Sequence, residues 1–259
     1  MRSKTRLFAA VALAGASAAQ AAVRTEKVEY RHGEVVLEGT LAFDESSKGP
    51  RPGVLVVHEW WGHGPYAVRR AEMLAALGYT AFALDMYGKG VLAKDHGEAG
   101  RLSGALRSDR KRMRERARSG LAVLKKNPRT DPGRLAAIGY CFGGTTVLEL
   151  ARAGESLAGV VSFHGGLDSP DPEGTKPFKA KVLVLHGADD AWVSPGIPAF
   201  QEEMRRAGAD WQMVSYGGAV HSFTVREAGE DPTKGMAYNE AADRRSWEAM
   251  KAFLSEVLR

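Results

Sequence analysis

Apolar residues in this chain fall into short unbroken runs, separated by longer stretches where apolar and polar positions recur at helical spacing. Runs over 54–57, 80–84, 135–140, 159–163, 182–185 and 212–215 predict strands. Their near-continuous hydrophobicity predicts strands covered on both faces. Helical periodicity predicts helices over 68–77, 102–125, 145–153, 197–207 and 239–258. In the last of these, Trp247, Met250, Phe253, Leu254 and Val257 form a core-facing stripe. Two further strand-like runs, 28–30 and 35–41, flank Arg31-His32-Gly33-Glu34 and predict a hairpin ahead of the alternation. The expected architecture is an α/β fold: one domain over 22–259, with a mostly parallel central sheet and helices on both faces.

The first 21 residues change the picture of where the chain works. Arg2, Lys4 and Arg6 precede an apolar run over 7–16 and then Ala19-Gln20-Ala21, the three-part pattern of a secretory signal peptide. Cleavage is expected after Ala21, giving a periplasmic or secreted protein. Without those three cations the formal charge falls from +5 to +2, so much of the basicity belongs to the leader. No apolar run approaches the roughly 20 residues of a membrane span, and no stable membrane anchor is expected. Ten basic residues between Arg101 and Lys126 invite a polyanion reading, but Leu102, Leu106, Met113, Leu121 and Leu124 predict an amphipathic helix with a solvated basic face. Nucleic acid is not an expected partner. An apolar content of 44% is ample for a core, and a monomer or homodimer is expected.

The one cysteine is where the chemistry is concentrated. Gly139-Tyr140-Cys141-Phe142-Gly143-Gly144 follows a predicted strand and precedes a predicted helix, the context of a nucleophile elbow. The helix would aim N–H groups and its positive dipole end at the sulfur, favouring thiolate. A lone cysteine in an oxidising compartment has no internal disulfide partner, which leaves its thiol for chemistry. Residues that act in a parallel sheet gather beyond the carboxyl ends of the strands. That rule brings forward Asp189 and Asp190 after the run 182–185, and His221 after 212–215. Nucleophile, acid, histidine is the chain order of α/β-hydrolases. His221 would exchange the thiol proton while one of the two aspartates holds its tautomer. A zinc site at His58-Glu59-Trp60-Trp61-Gly62-His63 is not expected, because the histidines stand five apart and not four. No cofactor or metal is implied.

From about Val54 onward the chain resembles the dienelactone hydrolase family. The resemblance rests on Gly139–Gly144, His58-Glu59-Trp60-Trp61-Gly62, Asp85-Met86-Tyr87, the 187–193 loop and 217–223. It implies Cys141 as nucleophile, His221 as base and Asp190 as the acid, with Asp189 the alternative. It also implies an oxyanion hole from the backbone N–H groups of Phe142 and Trp60, and a Glu59 that sits against the nucleophile and controls its protonation. Substrate contacts are expected at Lys89, which stands where the family has an arginine, and at Trp61 and Trp192. The implied activity is cofactor-free hydrolysis of a small-molecule ester or lactone through an acyl-thioenzyme. A non-catalytic binding protein on the same fold, or a redox-responsive thiol protein, are the alternatives.

Overall fold

The computed structural model describes residues 22–170 and 178–259; the leader and cleavage site expected over 1–21 lie outside the described residues. Among the described residues the strands are β1 (Val23–His32), β2 (Val35–Asp44), β3 (Arg51–Val57), β4 (Thr80–Leu84), β5 (Thr130–Tyr140), β6 (Gly159–Phe163), β7 (Lys181–Gly187) and β8 (Trp211–Tyr216). They form one eight-stranded sheet in the order β1-β2-β4-β3-β5-β6-β7-β8. β1 and β2 run antiparallel to each other, β2 is antiparallel to β4, and every later pairing is parallel. The helices are α1 (Pro65–Ala76), α2 (His96–Arg107), α3 (Arg110–Lys126), α4 (Phe142–Arg152), α5 (Ile197–Arg206) and α6 (Glu240–Val257).

Alternation along the buried strands divides the core in two. Leu55 and Val57 of β3 face one way and join Met113, Leu124, Val147 and Met204 of α3, α4 and α5. Val54 and Val56 face the other way, toward Ala71 and Leu74 of α1 and Met250 and Leu254 of α6. Helices therefore cover both faces, which is why the parallel strands are apolar without a break.

Two departures from the sequence expectation stand out. β1 starts at Val23 because a ladder from Val23↔Asp44 to His32↔Val35 holds it by backbone pairing, while most of its side chains stay exposed. The helix expected over 102–125 is two helices, because the Asp109 carboxylate accepts from the Arg112 N–H at 2.9 Å and starts α3 afresh. Its basic face is also not simply solvated: Arg114 pairs with Glu149 at 2.7 Å, and Arg116 donates to the Met86 carbonyl at 3.1 Å. No helix among the described residues is long and apolar enough to cross a membrane.

Candidate active site

Five strand ends converge on one edge of the sheet: β3 delivers His58, Glu59 and Trp60, β5 Cys141, β6 His164, β7 Asp190 and β8 His221. Cys141 sits between β5 and α4 at φ +52°, a left-handed conformation that costs a non-glycine residue on the order of 1–3 kcal/mol. Its neighbours must lack side chains: a Cβ on Gly139 would collide with the Gly143 carbonyl, and one on Gly143 would meet the His58 carbonyl oxygen at 2.7 Å. From this turn the thiol reaches His221, on the loop that follows β8. His164 (φ +40°) and Ser222 (φ +56°) are likewise left-handed, so all three non-glycine residues with positive φ among the described residues border this site.

Sγ of Cys141 lies 3.1 Å from Nε2 of His221, and Nδ1 of His221 lies 2.7 Å from Oδ2 of Asp190. Asp190 is fully buried, and its other oxygen accepts the Trp192 and Val193 N–H groups at 3.0 and 3.2 Å. Asp189 is exposed and no hydrogen bond among the described residues joins it to His221, so the geometry takes Asp190 of the adjacent pair. Burial opposes a charge on His221, but Cys141 and Asp190 outweigh it and raise the imidazole well above its ordinary value. A thiol and a carboxylate on the two nitrogens of one ring allow the thiol proton to pass to the ring and the resulting cation to be held in place.

Glu59 is buried on the same edge, and burial pushes its carboxyl up to about 7 against the opposing influence of His221 and the Ser222 hydroxyl. The hydrogen bond found for it comes from Ser222 Oγ at 3.4 Å. None among the described residues joins it to Cys141, which differs from the expectation of direct contact with the nucleophile. A carboxyl that keeps its proton to about pH 7 when folded, and loses it near 4.5 when unfolded, makes the folded state lose stability as pH rises through that interval. Glu59→Gln removes the loss. The variant's unfolding free energy relative to the native chain is expected to rise by up to about 3 kcal/mol between pH 4 and pH 8, as read by urea denaturation at each pH.

Two cavities adjoin at Trp60, Trp192 and Met236, and the thiol lines one of them. One of about 440 Å³ is lined by Cys141, His221, Thr145, Arg107, Trp60 and Trp192. The other, about 840 Å³, is lined by Trp60, Trp61, Tyr66, His96, Trp192 and Glu59. Trp192 is 58% exposed and forms the rim, its ring 5.3 Å from that of His221. Lys89, an expected substrate contact, has its ammonium held by Glu29 at 2.7 Å and Glu38 at 3.5 Å and lines neither of these two cavities. Arg107, at the end of α2, lines the smaller cavity 5.8 Å from the Phe142 ring, and Lys234 lines the larger one. No group of three or more His, Cys, Asp or Glu side chains among the described residues is arranged to hold a metal.

Sequence reasoning missed two buried histidines. Cys141 N–H donates to Nδ1 of His164 at 3.2 Å as well as to the Phe163 carbonyl at 3.0 Å, and Nε2 of His164 bonds Thr224 Oγ1 at 2.8 Å. Burial and the His221 charge hold His164 far below its ordinary value, so it stays a neutral spacer between the elbow and His221. His58 ties the end of β3 to Met86. Both residues directly follow apolar strands, so the strand-end rule that selected His221 also marks them.

The model of the dienelactone hydrolase family matches residues 37–258. A solved structure named m3DLH is 42% identical, with a TM-score of 0.88 over 92% of this chain and 100% of that one. A dienelactone hydrolase-like promiscuous phosphotriesterase from metagenomic libraries is 40% identical, with a TM-score of 0.86 over 92% and 99% of the two chains. Protein usf of Aquifex pyrophilus is 26% identical over 90% of this chain and 99% of its own length.

Proposed function

We propose, on the premise that this chain belongs to the dienelactone hydrolase family, that it hydrolyses carboxylic esters or lactones through a thioester on Cys141. The observation that carries the reading is the unbroken line from Sγ through His221 to Asp190, with contacts of 3.1 and 2.7 Å. In the proposed reaction the Cys141 thiolate attacks the carbonyl carbon while His221 holds the proton. The oxygen becomes an oxyanion that accepts from the N–H groups of Phe142 and Trp60, neither of which has an acceptor among the described residues. Collapse forms the thioester and expels an alkoxide or enolate, which takes the proton from His221. Water then gives a proton to His221 and attacks the thioester, releasing the acid and restoring the thiol. Glu59, protonated near neutrality, keeps a second negative charge away from the thiolate until substrate enters.

The cavities support a small-molecule substrate with a bulky aromatic part against Trp61 and Trp192, and a smaller part beside Cys141. A second substrate class, the phosphotriester, is favoured by the activity in the name of the 40% identical neighbour. The same sulfur would then form an S–P bond and expel an aryloxide. Export is part of the proposal and rests on the leader pattern ahead of Ala22. N-terminal sequencing of protein from a periplasmic extract is expected to begin at Ala22, and a chain retaining Met1 there would defeat it.

Intact-mass measurement milliseconds after mixing with an aryl ester tests the chemistry: one acyl group is expected on the native chain. No adduct from any ester or lactone would favour a binding protein on this fold. Faster modification of Cys141 by peroxide than by esters would favour a redox role.

A further inference from the structure

We infer that His58 and Tyr87 are positioning residues that aim the Trp60 N–H at the reacting oxygen, a role that rests on the thioester reaction proposed above. The inference starts from hydrogen bonds to the carbonyls on either side of the Trp60 α-carbon. Met86 N–H donates to Nε2 of His58 at 3.1 Å, so that nitrogen carries the lone pair and the ring proton is on Nδ1. Nδ1 then donates to the carbonyl of Glu59. On the other side of the same residue, the Tyr87 hydroxyl donates to the Trp60 carbonyl at 3.0 Å. In a trans peptide the C=O and the following N–H point in opposite directions. With the Glu59 carbonyl drawn inward to His58, the Trp60 N–H faces away from it and has no acceptor among the described residues.

His58 also touches the other half of the hole. Its ring stacks on Phe142 with centroids 5.9 Å apart and meets Tyr87 edge-on at 5.0 Å. Gly143, next to Phe142, approaches the His58 carbonyl so closely that a Cβ there would lie 2.7 Å from its oxygen, so both candidate donors adjoin His58. His58 is 1% exposed, and burial lowers its imidazole to about 4, so the tautomer that makes both bonds persists across the neutral range. A buried side chain that merely filled space would not need both nitrogens bonded to backbone on two different strand ends.

A pair of amide substitutions separates positioning from packing. Asparagine can present an N–H where Nδ1 stood, and glutamine can present an oxygen where Nε2 stood, while glutamine fills more of the volume. Two rates are measured on native, His58→Asn and His58→Gln protein: acylation of Cys141 by an aryl ester, and alkylation by iodoacetamide, which forms an S–C bond by displacement and develops no oxyanion. His58→Gln is expected to slow acylation about 30- to 100-fold, because a misaimed donor costs nearly as much as a lost one. Alkylation is expected to stay within about threefold, and His58→Asn to recover acylation to within about fivefold of native. Tyr87→Phe is expected to slow acylation about tenfold, again sparing alkylation. Acylation and alkylation falling together, or glutamine outperforming asparagine, would overturn the assignment. If native protein acylates and His58→Gln does so equally fast, only the role of His58 fails. If native protein is alkylated but never acylated, the proposed reaction fails and this role goes with it.

Discussion

Cys141→Ala is expected to lower kcat/KM for aryl esters by at least about 10⁴-fold, the scale on which losing a nucleophile from a triad acts. No nearby group can substitute. The Ser222 hydroxyl already donates to Glu59 at 3.4 Å, and no hydrogen bond among the described residues joins it to His221. Thr145 donates its hydroxyl to the Gly166 carbonyl at 3.0 Å. The thiol is also where the backbone strain is spent, since φ at Cys141 is +52°. Removing one sulfur from a site that already opens on a cavity leaves little new void, so the melting temperature should move by only a few degrees. Loss of turnover with an intact thermal transition is therefore the expected result. Residual hydrolysis within tenfold of native would mean that the chemistry runs through another group, and the thioester mechanism would have to be abandoned.

What could be read ahead of the fold, and what could not, follows from how each feature is encoded. The parallel strands are apolar on both faces, so they stand out as runs; the elbow glycines are required locally by carbonyls that approach within a side chain's radius. Strand order then brings residues 141, 190 and 221 to one edge. β1 was legible only in part because pairing with β2 defines it, and pairing leaves no hydrophobic trace on exposed side chains. The break between α2 and α3 is signalled by Asp109, whose capping role competes with a strong helical periodicity on both sides. Lys89 is diverted by Glu29, a residue sixty positions earlier on a hairpin strand, and no local pattern records that distance. Arg107 enters the cavity because α2 ends there, which again depends on Asp109. His58 and His164 carry the right positions but no composition signal, because their work is done on backbone groups.

Asp189 and Asp190 are chemically identical neighbours, and the expected contrast between them is the sharpest consequence of the geometry. Asp190→Asn is expected to lower kcat by about 10³- to 10⁴-fold with KM little changed, while Asp189→Asn stays within about twofold. The amide can keep its oxygen on the Trp192 and Val193 N–H groups, so the loop retains its shape. Its NH₂ then replaces the carboxylate oxygen 2.7 Å from Nδ1 of His221. An NH₂ donates, so Nδ1 must accept, and the single proton of the neutral ring moves to Nε2. That nitrogen faces Sγ at 3.1 Å and must be unprotonated to take the thiol proton. The variant therefore keeps the site's shape and inverts its hydrogen-bond direction. Iodoacetamide alkylation of Cys141 should fall as well, because the thiolate loses the imidazolium that the aspartate stabilises. This separates Asp190→Asn from the His58 variants, in which alkylation is spared. Equal loss in both aspartate variants would point to the loop's conformation, and not the carboxylate's charge, as what His221 requires.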